Sequence, residues 1–199
     1  MLSILDQIKN FADQAHGEQL RKYSPERYIV HPARVMARLK EFTDDQTVLA
    51  AALLHDVLED TTTTREQIEE FLRPLFGDVD TQRTIKLVEE LTDVYTKNNF
   101  SQWNRYKRKK KETERLEKVS PEAQTIKYAD LMDNTSEIVQ QDPDFAKRYL
   151  EEARKLLRRL KKGNSNLRER AIEHVKKAFE TWSQQRGRTG TVRPLSLPR

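Results

Sequence analysis

His55-Asp56 closes the apolar run Ala51-Ala52-Leu53-Leu54, and a second acidic pair, Glu59-Asp60, follows four residues later. Positions four apart on a helix stack on one face, so this spacing predicts His55 beneath Glu59 and Asp56 beneath Asp60. Four ionisable groups at the end of an apolar helix are costly to desolvate. A bound divalent metal offsets that cost and leaves carboxylates to handle a water molecule. His31 and Asp130 have the right chemistry to join such a site. His31 precedes Pro32 at a predicted helix start, where a side chain can face a cleft, and Asp130 lies among apolar neighbours in Tyr128-Ala129-Asp130-Leu131. Composition and spacing alone do not choose these two over other candidates. Two imidazoles with two carboxylates suit one Mn²⁺ ion and accommodate Fe²⁺, Co²⁺ or Zn²⁺, whereas Mg²⁺ and Ca²⁺ prefer oxygen shells.

Helices must position these groups. Leu5, Ile8, Phe11, Ala12 and Ala15 follow the helical period, as do Val35, Leu39 and Phe42 after His31-Pro32. Asp44 or Asp45 can cap a third helix that runs through Val48, Leu49, Ala52 and Leu53 into the His-Asp pair. Residues 61–64, all threonine, predict a break and a new cap. A fourth helix carries Ile68, Phe71, Leu72 and Leu75 and stops near Gly77, and a fifth carries Ile85, Val88 and Leu91. Residues 95–118 are basic and aromatic (Phe100, Trp103, Tyr106), which predicts a surface helix-loop segment. Ser120-Pro121-Glu122 opens the helix that holds Asp130. Two long polar helices are expected over 144–162 and 165–184, with Gly163-Asn164 as the turn. No strand-period segment and no glycine-rich phosphate loop is found. The expected fold is all-α, a compact helical bundle forming one domain over residues 1–184, with 185–199 as a basic, disordered tail.

Composition narrows the function classes. The chain has no cysteine, which removes thiolate metal sites and thiol nucleophiles and fits a reducing, cytoplasmic location. No apolar run approaches the roughly 18 residues of a bilayer span, so no membrane partner is expected. Met1-Leu2-Ser3-Ile4-Leu5-Asp6 has neither a basic leader nor a sustained apolar segment, so no secretory signal is expected. The net charge of +5 suggests nucleic acid until it is located. Residues 186–199 hold four Arg and no acid, and residues 105–118 hold eight Lys/Arg against three Glu, so the rest of the chain is net negative. Nucleic acid is therefore not expected as the main partner.

Tyr28-Ile29-Val30-His31-Pro32, then the run from Ala51 through His55-Asp56 to Glu59-Asp60-Thr61, then Lys127-Tyr128-Ala129-Asp130 with Asn134, form an ordered set. It resembles the hydrolase domain of the RelA/SpoT family over residues 8–182. More closely, it resembles the small stand-alone alarmone hydrolases of the metazoan SpoT-homologue type, within the HD phosphohydrolase superfamily. The resemblance implies Mn²⁺-dependent removal of pyrophosphate from the 3′ position of guanosine tetra- or pentaphosphate, giving GDP or GTP. It implies His31, His55, Asp56 and Asp130 as metal ligands. Glu59 and Asp60 match the pair that positions and activates the attacking water. Arg21 and Lys22 match the family's basic pair that contacts the nucleotide, and Asn134 matches the asparagine that touches its sugar. Two positions depart from the pattern. The glycine and proline usual before Tyr-Ile are replaced in Tyr23-Ser24-Pro25-Glu26-Arg27, which bears on base preference, and the usual basic residue after the last ligand is Leu131.

Two other readings are distinguishable. The same chemistry can serve another nucleotide, such as an adenosine alarmone, a dinucleotide cofactor phosphate or a nucleoside monophosphate. A non-catalytic module would instead act on nucleic acid through its basic segment. That segment, residues 105–111, is read as a solvated face, a phosphate-contacting lid or an RNA contact. The narrow apolar stripes of the last two helices suit intramolecular packing or a homo-oligomer.

Overall fold

The structure of the chain, a computed structural model, describes residues 2–22 and 24–189. They form the helices α1 (Ile4–His16), α2 (Val30–Leu39), α3 (Gln46–Leu54), α4 (Val57–Asp60), α5 (Arg65–Leu91), α6 (Arg105–Leu116), α7 (Pro121–Gln141), α8 (Pro143–Arg159) and α9 (Ser165–Thr189). Among the described residues there is no strand. An isolated antiparallel bridge between Leu20 and Arg27 closes the loop before α2.

Local chemistry sets the helix ends. Ser3 and Asp6 form a reciprocal capping box at α1, and Thr64 and Gln67 form one at α5. Asp45 caps α3 by accepting from Thr47 N, and Pro121 and Pro143 occupy first-turn positions in α7 and α8. Gly77 has φ 70° and ψ 178°, so α5 is two helices meeting at a kink, as the break expected near Gly77 requires. The expected helix over 144–162 ends at Arg159. α9 carries residues 185–189, which were expected to belong to the tail, because its helical hydrogen bonding continues past Trp182. Residues 190–199 lie outside the described residues.

The bundle is built around α3, whose residues from Thr47 to Leu54 are all buried. α1, α2, α5 and α7 enclose it. A helix apolar all round belongs in the middle of the core, and each buried Leu or Val there contributes about 1.5–3 kcal/mol. α7 lies between α2 on one side and α8 and α9 on the other. Gly163 makes the α8–α9 reversal possible, because a Cβ there would come within 2.7 Å of Tyr128 Cε2 and 2.8 Å of Thr125 N. No helix among the described residues is long and apolar enough to cross a membrane.

Candidate active site

Four segments converge on one end of α3. The helix stops at Leu54, His55 caps it, and Asp56 takes φ −97° and ψ −7° before α4 begins. The backbone departs little from a helix here: Asp60 N still donates to Asp56 O at 2.9 Å, four residues back, as the expected placing of Asp56 beneath Asp60 requires, whereas Glu59 N bonds three residues back to the same carbonyl at 3.2 Å. Asp56 Oδ2 lies 3.1 Å from His55 Nε2.

His55 Nδ1 lies 2.8 Å from the Ala52 carbonyl, to which it donates, so the lone pair of the neutral ring is on Nε2. That atom is buried and has no hydrogen-bond partner. His31 enters from α2. Its Nδ1 is 2.8 Å from Asp133 Oδ2, and its Nε2 is 3.2 Å from Asp130 Oδ1 and 3.6 Å from Asp56 Oδ2. Arg34 Nε in turn donates to Asp133 Oδ1 at 2.9 Å. An imidazole held on its far side by a carboxylate is the usual support for a metal-ligating histidine. His31, His55 and Asp56 offer ligand atoms that all lie within 4.8 Å of one another. Asp130 adjoins them through Oδ1, 3.8 Å from His55 Nε2. Its Oδ2 meets Lys127 Nζ at 2.8 Å, and its Oδ1 accepts from Asn134 Nδ2 at 2.6 Å. Two bare imidazole nitrogens facing carboxylates, one with no partner, fit a divalent metal.

The electrostatics agree. Burial disfavours a charged His55, but the neighbouring Asp56 and Asp130 outweigh it and lift its pKa to about 10. Burial also opposes ionisation of Asp56, yet His55 and His31 hold its carboxyl well below the usual range. Such a cluster draws a cation, and a proton and a metal compete for the same nitrogens.

Beside the cluster opens a cavity of about 220 Å³, lined by Tyr28, Asp56, Glu59, Asp60, Asp93, Lys109, Lys127, Asp130 and Asn134 among others. Burial, then the charge of Asp93, raises Glu59 to about 7, and its Oε2 accepts from Asp93 N at 3.0 Å. Burial and Asp56 also raise Asp60. Tyr28 donates its hydroxyl to Asp56 Oδ2 at 2.8 Å. A second pocket of about 290 Å³ shares Tyr28, Asn134 and Tyr149 with the first and adds Arg21, Lys22 and Phe145. Arg21 Nη2 donates to Asn134 Oδ1 at 3.0 Å and lies 3.1 Å from Glu137 Oε2, while Lys22 Nζ sits 5.7 Å from the Phe145 ring centre.

All nine residues singled out in the sequence therefore line one of these two pockets or belong to the cluster beside the first. Tyr28 and Lys127 stand in the motif set without a role of their own, Asp133 and Asp93 carry none in the sequence reading, and Lys109 falls within the 105–111 segment read as a solvated face, a phosphate-contacting lid or an RNA contact. Lys127 and Asn134 had a readable signal, since they lie three before and four after Asp130 on one helix face. Asp93 had none, because it reaches the cavity through the turn after α5. Glu112 holds that turn. It is 3% exposed, accepts from Val94 N and Tyr95 N at 3.1 Å each, and accepts from Arg115 Nε at 2.7 Å.

The family model described as HD domain matches residues 9–160. The chain is 32% identical to the guanosine-3′,5′-bis(diphosphate) 3′-pyrophosphohydrolase of Xenopus tropicalis over 183 residues, covering 87% of this chain and 93% of that protein. It is 38% identical over 130 residues to the protein of the same name in Aquifex aeolicus, covering 62% of this chain but 16% of the relative. It thus spans about a sixth, or less, of the first curated relatives it matches. A solved structure of a metazoan orthologue of SpoT, titled as hydrolysing ppGpp, superposes with a TM-score of 0.68 at 28% identity, covering 94% of this chain and 98% of that one. A structure from Listeria monocytogenes, at 23% identity and a TM-score of 0.56, shares the fold.

Proposed function

The chain belongs to the HD-domain family, and from that premise we propose that it is an Mn²⁺-dependent guanosine-3′,5′-bis(diphosphate) 3′-pyrophosphohydrolase. The observation that carries this reading is the bare, buried Nε2 of His55 facing His31, Asp56 and Asp130 at the wall of an acid-lined cavity. Similarity to the Xenopus enzyme along nearly the whole of both chains supports the substrate.

His31, His55, Asp56 and Asp130 would hold the ion, a mixed nitrogen and oxygen set that suits Mn²⁺. Bound there, the metal supplies Lewis-acid polarisation of a phosphoryl oxygen. Asp133 fixes the tautomer and aim of His31, and Tyr28 fixes the rotamer of Asp56. Lys127 offsets the charge of Asp130. Glu59 accepts the proton of the attacking water, since a carboxyl with a pKa near 7 is matched to that task. Asp60, beside Tyr28 and Asp56, orients the water. The water oxygen bonds to the phosphorus attached to the 3′ oxygen. The bond between that phosphorus and the 3′ oxygen breaks, the 3′ oxygen gains a proton, and diphosphate leaves. Arg21, Lys22 and Asn134 line the neighbouring pocket and contact the nucleoside.

The test is a panel of guanosine tetraphosphate, its adenosine counterpart and a dinucleotide cofactor phosphate, with and without Mn²⁺. Pyrophosphate should be released from the guanosine compound, only with metal, and not by the Asp56→Ala variant. Metal binding without cleavage of that compound, alongside cleavage of another panel member, would overturn the substrate assignment.

A further inference from the structure

Seven of the side chains lining the metal-adjacent cavity are carboxylates and two are ammonium groups. That balance is hostile to a diphosphate, whose outer phosphate carries charge of its own. The two lysines are not equivalent. Lys127 is largely buried and bound to Asp130 Oδ2 at 2.8 Å, so its charge is committed to the cluster. Lys109 is 41% exposed and meets Asp93 Oδ2 at 2.9 Å.

Lys109 is also the one cation of α6 among the cavity-lining residues. Its neighbours are engaged elsewhere. Arg105 pairs with Glu152 through two hydrogen bonds. Lys107 lies 4.1 Å from the Trp103 ring centre, Arg108 donates to the Trp103 carbonyl, and Lys111 pairs with Glu114. Lys110 lines a different surface pocket, beside Tyr106 and Lys155, so of the α6 cations Lys109 alone lines the metal-adjacent cavity.

We propose that Lys109 is the specificity-determining residue for a diphosphate over a monophosphate: its ammonium leaves Asp93 and pairs with the phosphate distal to the cleaved bond. This deepens the pyrophosphohydrolase reading and rests on it. The exchange replaces one ion pair by another. A phosphate offers a denser negative charge than one carboxylate. Asp93 is not stranded, because Lys127 and Arg115 also face it. Its backbone N–H continues to anchor Glu59, so the proton acceptor stays in place while Lys109 moves. A lysine is suited to this, being a compact charge on a flexible stem.

The experiment measures binding of inorganic pyrophosphate and of orthophosphate to the protein at a fixed free Mn²⁺ concentration. Lys109→Ala should weaken pyrophosphate tenfold or more and orthophosphate less than twofold, with Lys109→Arg restoring most of the loss. A merely structural ion pair predicts equal changes for both anions, or none, and either result overturns the proposal. Should Lys109→Ala lose its helical signal, Asp93→Asn decides: releasing the ammonium should strengthen pyrophosphate selectively, and unchanged selectivity overturns it. Wild-type protein that leaves guanosine tetraphosphate intact yet shows the Lys109-dependent selectivity would refute the substrate and uphold the role of Lys109.

Discussion

α3 and α6 serve the same cavity by opposite means. α3 is buried along its length and delivers His55 and Asp56 by apolar packing. Only Glu112 and Leu116 of α6 are buried, and that helix is held by pairings of Arg105 with Glu152, Lys109 with Asp93 and Arg115 with the Glu90 and Thr92 carbonyls. Apolar packing is non-directional, unaffected by salt screening and intolerant of volume change. Ion pairs are directional, weaker near solvent and exchangeable. The groups that must not move are mounted on the first kind of support, and the cation proposed to meet a charged ligand is mounted on the second.

The largest effect that would test this contrast is a cavity in α3. Leu53→Ala should cost about 3–5 kcal/mol in urea unfolding and should weaken metal binding with it, since His55 is anchored to Ala52 on the same turn. Metal affinity unchanged in a destabilised variant would break the link between core and cluster. Smaller is Glu112→Ala, which leaves the N–H groups of Val94 and Tyr95 unpaired. It should cost about 1–3 kcal/mol and disturb Asp93 while leaving the metal affinity at its wild-type value. Loss of metal as well would show that the two supports are not separate.

The smallest effect sharpens the boundary between them. In the proposed mechanism Glu59 must be ionised to accept a proton, and burial and Asp93 raise it to about 7. Turnover should therefore decline as pH falls below about 7. Asp93→Asn removes a negative neighbour, so that acid limb should move to lower pH. A profile of kcat against pH for both proteins reads it, and an unmoved limb would assign the titration to another group.

How much of this was legible follows the same division. The apolar run into His55-Asp56, the caps at Asp45 and Ser120 and the kink at Gly77 are local features, and the sequence displayed them. The break between α3 and α4 was not visible, because nothing in Leu54-His55-Asp56-Val57 is a helix breaker. At that junction Val57 is buried in the core and Asp56 faces the two histidines. His31 and Asp130 stood out only through the motif set, since their partners lie far away along the chain. Asp93 was beyond reach for the same reason, and Lys109 was legible only as one of the basic residues of the 105–111 segment, not as the partner of Asp93. Their pairing depends on how the turn after α5 meets α6.

α7 has a last consequence. Lys127, Asp130, Asn134 and Glu137 follow one another along a single stripe of that helix, and Asp133 sits next to it. Sliding or rotating the rod by one position would misplace all of them together, so its register can change only at the expense of the chemistry. The loop ahead of Tyr28 is tied instead by backbone bonds of its own, Arg21 N to Glu26 O and Tyr28 N to Gln19 O. Descendants of this chain are thus free to rewrite that loop, and with it whatever nucleoside preference the proposed reading assigns to it, while the residues of α7 are inherited as an indivisible block.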